Sequence, residues 1–391
     1  MLAHSPPLPL VIDYESRAIT AEDEEGIILA LKQRDRVRRV RLRISVTSLQ
    51  KLVVAMDEEY PILEFLLMEL RIRDIDGILT FPEILQAPHL RHLRLRGFSL
   101  PIVSRLLTTA VGLVTLDLHM VHPSTYFHPS ALLQWISVFP QLETLGLFFK
   151  SSILNPDLER QLDTPIIEPV TLPNLQHFRF HGVDTYLESL IHRIIAPRLK
   201  KLRIEFFNQS IYTVTRLLRF MNSIKGLRLD GARFSFTDKS VEVAVYLDDG
   251  KFKRYAFAMI TALCWHLDWQ VSCMVQISIS LSQMFSALED LTLRHEEHSQ
   301  SSEEHNEVDR TEWRSLLRPF RNVKTLRIDN GLVKDLSRCL QLEDGELSLE
   351  LLPELQELTY FGGGDTGDSL AFTSFINARQ NLGRPVTLVR L

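Results

Sequence analysis

Three groups of side chains have types and spacings that chemistry could use. The first is Cys264, His266 and Asp268, at alternate positions of CWHLDWQ. On a strand, alternate residues share a side, and a thiol, an imidazole and a carboxylate are the parts of a nucleophile, its base and an orienting acid. Such triads are assembled from separated segments, however, and Trp265 and Trp269 flank this set, which marks a packed turn. The second group is His295, His298 and His305 among glutamates, a spacing that fits no rigid metal site. The third is FGGGDTGD at 361–368, which is glycine-rich but lacks the Lys-Ser/Thr of a phosphate-binding loop. No catalytic residue, metal site or cofactor is expected from them.

The arginines are placed more systematically. An apolar residue, two variable positions, an apolar residue, one variable position and a third apolar residue recur along the chain. The clearest copies are Leu90/Leu93/Leu95, Leu142/Leu145/Leu147 and Leu199/Leu202/Ile204, and weaker ones bring the count to eleven, starting at 37, 63, 90, 113, 142, 175, 199, 224, 288, 323 and 355. Apart from one gap of 64 residues the spacing runs from 23 to 35, within or near the leucine-rich-repeat period of roughly 20–29. The last two apolar residues of each copy are two apart, so a strand turns both inward and the residue between them outward.

That outward residue is, in order, Arg41, Leu67, Arg94, Asp117, Gly146, Arg179, Arg203, Arg228, Thr292, Arg327 and Thr359. Neighbouring outward positions add Arg39, Arg43, Arg96, His177, His181 and Lys201. Two readings stand. In one, Arg41, Arg94, Arg179, Arg203, Arg228 and Arg327 form a basic stripe that attracts an acidic or phosphorylated partner, whose oxygens the planar guanidinium matches in pairs. In the other, the arginines pair across strands with Glu205, Asp230, Asp290 and Asp329, each pair contributing ~0.2–1 kcal/mol. Nucleic acid is not expected, because the outward aromatics Phe65, Phe148 and Phe361 lie near no dense arginine run.

The elements that must position these residues alternate. Between copies lie stretches of helical spacing, such as Leu187/Leu190/Ile191/Ile194 and Val214/Leu217/Leu218/Met221, with Thr185–Glu188 reading as a capping box and Ser210 as an N-cap. Each strand–helix pair can bury its apolar side only against neighbours, which predicts one α/β solenoid over 1–391, strands on the concave face and helices on the convex face. The 64-residue gap holds β-rich runs broken by TDKS and DDGK, predicting a small β-hairpin insertion at 232–262, followed by a helical stretch from about 271 to 285. The acidic, aperiodic segment 295–310 reads as a mobile loop.

Composition sets outer limits. A hydrophobic content of 45% and a charged content of 24% fit a folded chain, and the net charge of −5 is too mild to choose a partner. No apolar run approaches bilayer length, and the start, MLAHSPPLPLVIDYES, has neither the basic nor the apolar part of a signal peptide. Three cysteines, Cys264, Cys273 and Cys339, are too few and scattered for a disulfide framework, so cytoplasm or nucleus is expected.

Several phrases, PLPLVIDY (7–14), AEDEEGIILALKQRDRVRRVRLR (21–43), DEEYPILEFL (57–66), CWHLDWQVS (264–272) and NARQNLGRPVTLVRL (377–391), resemble the F-box-like leucine-rich-repeat family of mushroom-forming fungi, end to end. Members of that family carry an F-box upstream of the segment matching PLPLVIDY; residues 1–20 show no such pattern. The resemblance implies the target-recognition part of a ubiquitin-ligase substrate receptor, with a Skp-type adaptor and cullin as partners if an F-box is upstream or cryptic. The alternative is a free-standing leucine-rich-repeat scaffold or inhibitor. Either way the expected activity is protein binding without catalysis.

Overall fold

The computed structural model describes residues 8–16, 19–70, 79–99, 104–120, 126–152, 168–224, 229–247, 255–296, 308–341, 351–361 and 372–390. The chain is a mixed α/β protein of mostly parallel strands and helices, and it divides into two compact units, Met1–Lys200 and Lys201–Leu391.

The first unit has seven principal strands: β1 (Leu10–Glu15), β2 (Val37–Ile44), β3 (Phe65–Leu70), β4 (His92–Arg96), β5 (Thr115–Met120), β6 (Thr144–Phe149) and β7 (His177–Gly182). They lie side by side in chain order, all parallel. Parallel neighbours need crossovers, and these carry α1 (Ala21–Leu31), α2 (Val46–Ala55), α3 (Arg105–Thr109) and α4 (Pro129–Ile136), while α5 (Asp184–Ile191) follows β7. The apolar pattern sets the register. Val40, Leu66, Leu93, Leu116, Leu145 and Phe178 stand in one row across the strands, Leu42, Met68, Leu95, Leu118, Leu147 and Phe180 in the next, and all twelve are buried.

Helix starts follow local chemistry. Thr20 caps α1 by accepting the Asp23 N–H, with Glu22, Asp23 and Glu24 in the first turn. In α5 the helix begins one residue before Thr185: the Asp184 carboxylate accepts the Thr185 N–H at 2.6 Å, and Glu188 is buried, so Thr185 is not the cap.

The second unit has eight strands: β8 (Lys201–Phe206), β9 (Leu229–Phe236), β10 (Ser240–Leu247), β11 (Ala256–Leu263), β12 (Asp290–His295), β13 (Thr325–Ile328), β14 (Glu357–Tyr360) and β15 (Thr387–Arg390). Their order across the sheet is β8-β11-β10-β9-β12-β13-β14-β15. Strand β10 is antiparallel to both its neighbours; the other pairs are parallel. The helices are α6 (Thr215–Asn222), α7 (Leu267–Ser280), α8 (Ser282–Phe285), α9 (Arg310–Leu317), α10 (Val333–Leu340) and α11 (Thr373–Asn381). Ser210 does not cap α6. Its carbonyl accepts from Gln276 Nε2 at 3.2 Å, Tyr212 N–H donates to Gln276 Oε1 at 2.8 Å, and the segment is thereby held against α7 until the helix starts at Thr215.

Aromatic packing fills this second core. Phe285 stacks on Phe320 at 5.1 Å, Phe234 meets both edge-on, and the fully buried Trp313 packs on Phe236. At the far end the buried Arg379 guanidinium donates to the carbonyls of Leu352, Pro353 and Leu355 at 3.0–3.3 Å, and thereby holds a turn in which Leu352 has a left-handed φ of 49°. The glycine-rich run at 362–368, His298 and His305, and most of the expected loop at 295–310 lie outside the described residues; His295 ends β12 and Arg310 opens α9.

Candidate functional site: the outward strand face

Strand alternation turns every second residue of β1–β7 away from the helices. Register then assembles those residues into three rows. One holds Arg39, Phe65, His92, Thr115, Thr144 and His177. The central row is Asp13, Arg41, Leu67, Arg94, Asp117, Gly146 and Arg179, and the third is Glu15, Arg43, Glu69, Arg96, His119, Phe148 and His181.

The central row is organised by one carboxylate. Asp117 is fully buried, and both its neighbours in charge converge on it. Arg94 donates through Nε and a terminal nitrogen to Oδ2 at 3.1 and 2.8 Å. Arg179 comes from two strands away and donates to both oxygens at 2.8 Å. It can do so because the intervening residue is Gly146, whose missing side chain leaves the space that Asp117 Oδ1 occupies. A carboxylate held by two guanidinium groups leaves one net positive charge, and both arginines remain about 35% exposed.

Beside this clamp Phe148 stacks on His119 at 4.2 Å with ring planes 7° apart, and Arg179 lies 5.6 Å over the Phe148 ring. Burial, then the nearby Arg96, lowers the His119 pKa to about 4, so the imidazole is neutral at physiological pH. His92, bonded through Nδ1 to the Thr115 hydroxyl at 3.1 Å, is also lowered, by burial and then by Arg91.

The remaining arginines differ in their partners. Arg43 bridges Glu15 at 3.2 Å and Glu69 at 2.7 Å, Arg41 sits 3.6 Å from Asp13, and Arg39 covers the Phe65 ring at 4.3 Å. Arg96, half-buried between Glu69 and His119 in register, has no hydrogen bond or ion pair to any described residue.

In the second unit, Arg327 lies 3.9 Å from Asp290, and Arg203 is exposed opposite Met259 with no partner among the described residues. Arg228 lies outside the described residues. Arg233, which sequence reasoning missed, stands in the same row as Arg327, over the Tyr246 ring at 5.6 Å. Of the five described arginines of the expected stripe, four thus have a carboxylate within their own unit.

The other candidate chemistry is not assembled. Cys264 is buried and donates to Ala262 O at 3.6 Å, His266 is exposed with its ring edge-on to Trp269, and Asp268 accepts from Trp269 N–H at 2.8 Å. No hydrogen bond or ion pair joins the three among the described residues. No cluster of three or more His, Cys, Asp or Glu able to hold a metal occurs among those residues, and no helix among them is long and apolar enough to cross a membrane. No family model matches the chain, and no curated protein matches it.

Proposed function

We propose that the chain is a leucine-rich-repeat solenoid that binds an acidic or phosphorylated protein on its strand face and catalyses nothing. One observation carries the reading. The three rows of the first unit gather six arginines (Arg39, Arg41, Arg43, Arg94, Arg96, Arg179) against four carboxylates (Asp13, Glu15, Glu69, Asp117), an excess of two positive charges in a chain that is negative overall. A local excess of one sign raises the concentration of oppositely charged partners at that face. The internal carboxylates hold guanidinium groups in fixed positions, and a donor already positioned loses less entropy on meeting an incoming oxygen. The solenoid reading draws support from the in-register rows of Leu66, Leu93, Leu116 and Leu145 and from the strand–helix alternation.

The target-recognition role in a ubiquitin ligase rests on the family resemblance, and the cytoplasmic or nuclear setting on three cysteines too few and scattered for a disulfide framework. The test is affinity capture from the cell of origin with the intact chain and with an Arg39→Glu/Arg96→Glu variant, read by quantitative mass spectrometry at moderate salt. Acidic proteins recovered by the parent and depleted about tenfold or more with the variant are the expected result. Co-recovery of a Skp-type adaptor and cullin would support the ligase role, and their absence the free-standing scaffold. Capture indifferent to the variant would place binding elsewhere, and nuclease-sensitive capture would make nucleic acid the partner.

A further inference from the structure

Parallel sheets hold small ligands past the carboxyl ends of their strands, and one such place in the second unit is hollow. Strands β8 and β11 are parallel neighbours, with Phe206 beside Ala262 near their ends. The chain leaves β8 into the 208–212 segment and leaves β11 into α7, and between the two lies a cleft of about 390 Å³. That volume falls in the lower part of the roughly 300–1,000 Å³ range of small-molecule sites. Trp269, Ser272, Cys273 and Gln276 line one wall, spaced so that they share one face of α7. Asn208 and Ser210 line the other. Gln276 ties the walls together: its Oε1 accepts the Tyr212 N–H at 2.8 Å, and its Nε2 donates to Ser210 O at 3.2 Å. The cleft is thereby shaped before any ligand enters, which lowers the entropy lost on binding.

The lining selects the chemistry. None of the lining residues is charged, so an ionic ligand would lose hydration there and meet no counter-charge. The Asn208 amide and the Ser210 and Ser272 hydroxyls can each donate and accept, and these side chains bond to no described residue. Trp269, which the sequence suggests is packed around a turn, is instead 53% exposed. His266, which does not line the cleft, meets its ring edge-on at 5.7 Å. Trp269 is the only aromatic residue of the lining, so a ligand finds an indole on one side and amide and hydroxyl groups on the other. A planar base gains most between aromatic faces. A sugar ring fits this asymmetry better, because it has an apolar C–H face and a rim of hydroxyls that donate and accept as the serines do.

We propose that this cleft binds a neutral carbohydrate, a mono- or disaccharide unit whose C–H face lies on the Trp269 indole. Its hydroxyls bond to Asn208, Ser210 and Ser272 on the surrounding walls. The site lies wholly within the second unit and owes nothing to the arginine rows of the first. The two readings therefore stand or fall separately.

The test uses the full chain, with cellobiose, diacetylchitobiose, maltose and mannobiose as probes, each free and as its methyl glycoside, and adenosine beside them. Binding is read by saturation-transfer NMR of the probe and by titration of tryptophan fluorescence. The expected result is saturable binding of at least one sugar, weakened about tenfold or more in Trp269→Ala. Trp265→Ala, at an exposed indole that does not line the cleft, should leave that binding unchanged. Asn208→Ala, at an exposed position, should weaken it about threefold or more at an unchanged urea midpoint, so the proposal does not hang on how the tryptophan variant folds. Equal binding of a sugar and its methyl glycoside would make the ligand the end of an attached glycan, and loss in the glycoside would make it a free sugar. Binding of none of the sugars, binding of adenosine alone, or sugar binding indifferent to both Trp269→Ala and Asn208→Ala would overturn the proposal.

Discussion

Gly146→Ala is the substitution whose cost follows most directly from the structure. An added Cβ would overlap Asp117 Oδ1 and approach Phe148 Cε2 to 2.7 Å. Asp117 cannot yield slightly, because its oxygens are fixed by Arg94 on one side and Arg179 on the other. Moving the carboxylate breaks a buried, charge-assisted network, which in a fully desolvated setting costs ~3–5 kcal/mol. The two guanidinium groups are about a third exposed and can rehydrate. The methyl also recovers the ~0.5–1 kcal/mol that glycine costs a strand. The net expectation is a loss of ~2–3 kcal/mol, read in urea as a lower midpoint at unchanged slope. For a unit of this size that is a fall in Tm of roughly 4–12 °C. A double-mutant cycle separates the overlap from a general intolerance of bulk. In an Asp117→Ala background at least half the Gly146→Ala cost should vanish. A cost below ~0.5 kcal/mol, or strict additivity with Asp117→Ala, would refute the reasoning.

Three further expectations follow from single residues. The folded-state pKa of His119, about 4, lies below its unfolded value near 6.5, so its stability contribution is complete above pH ~6.5 and is lost as pH falls toward 4. After allowance for partial exposure the loss is roughly 2 kcal/mol, and urea midpoints across that window should flatten in His119→Gln. Arg379→Met removes a donor from the carbonyls of Leu352, Pro353 and Leu355, of which Leu352 O keeps the Leu355 N–H and Pro353 O keeps Arg384, so a loss of ~1–3 kcal/mol is expected in chemical denaturation, and Arg379→Lys should restore little because an ammonium lacks the planar fork. Tyr60→Phe removes the buried hydroxyl that donates to Leu31 O at 3.1 Å, and calorimetry should show a loss of ~1–2 kcal/mol with β2 and β3 intact by hydrogen exchange.

Much of the strand geometry can be read from spacing. An apolar triplet at 0, +3 and +5 puts two residues inward and one outward whatever the neighbours are, so Arg41, Leu67, Arg94, Asp117, Gly146 and Arg179 could be set in one column before any coordinates. Two things escape that logic. Strand β1, LVIDYE, is not a copy of the pattern, yet it brings Asp13 and Glu15 to Arg41 and Arg43. The bond from Arg179 to Asp117 joins strands that are not neighbours, and it depends on what residue 146 lacks rather than on what it is. The cysteines show the opposite failure. Alternation along 264–268 assumes a continuing strand, but α7 begins at Leu267, and the Cys264 thiol donates back to Ala262 O instead.

The antiparallel strand β10 has a consequence for how this chain can vary in length. Each antiparallel step reverses direction, and two steps restore it, so β9 runs the same way as β8 although β10 and β11 stand between them. A block of two strands therefore leaves the polarity of everything after it untouched, and β9 can continue into the parallel run through β12 to β15. A single strand added in antiparallel pairing would invert β9 and forbid that run. Gains and losses at this place are subject to a parity rule: strands should come and go in twos, as a removable cassette spanning 240–263, with the flanking architecture indifferent to how many such pairs it carries.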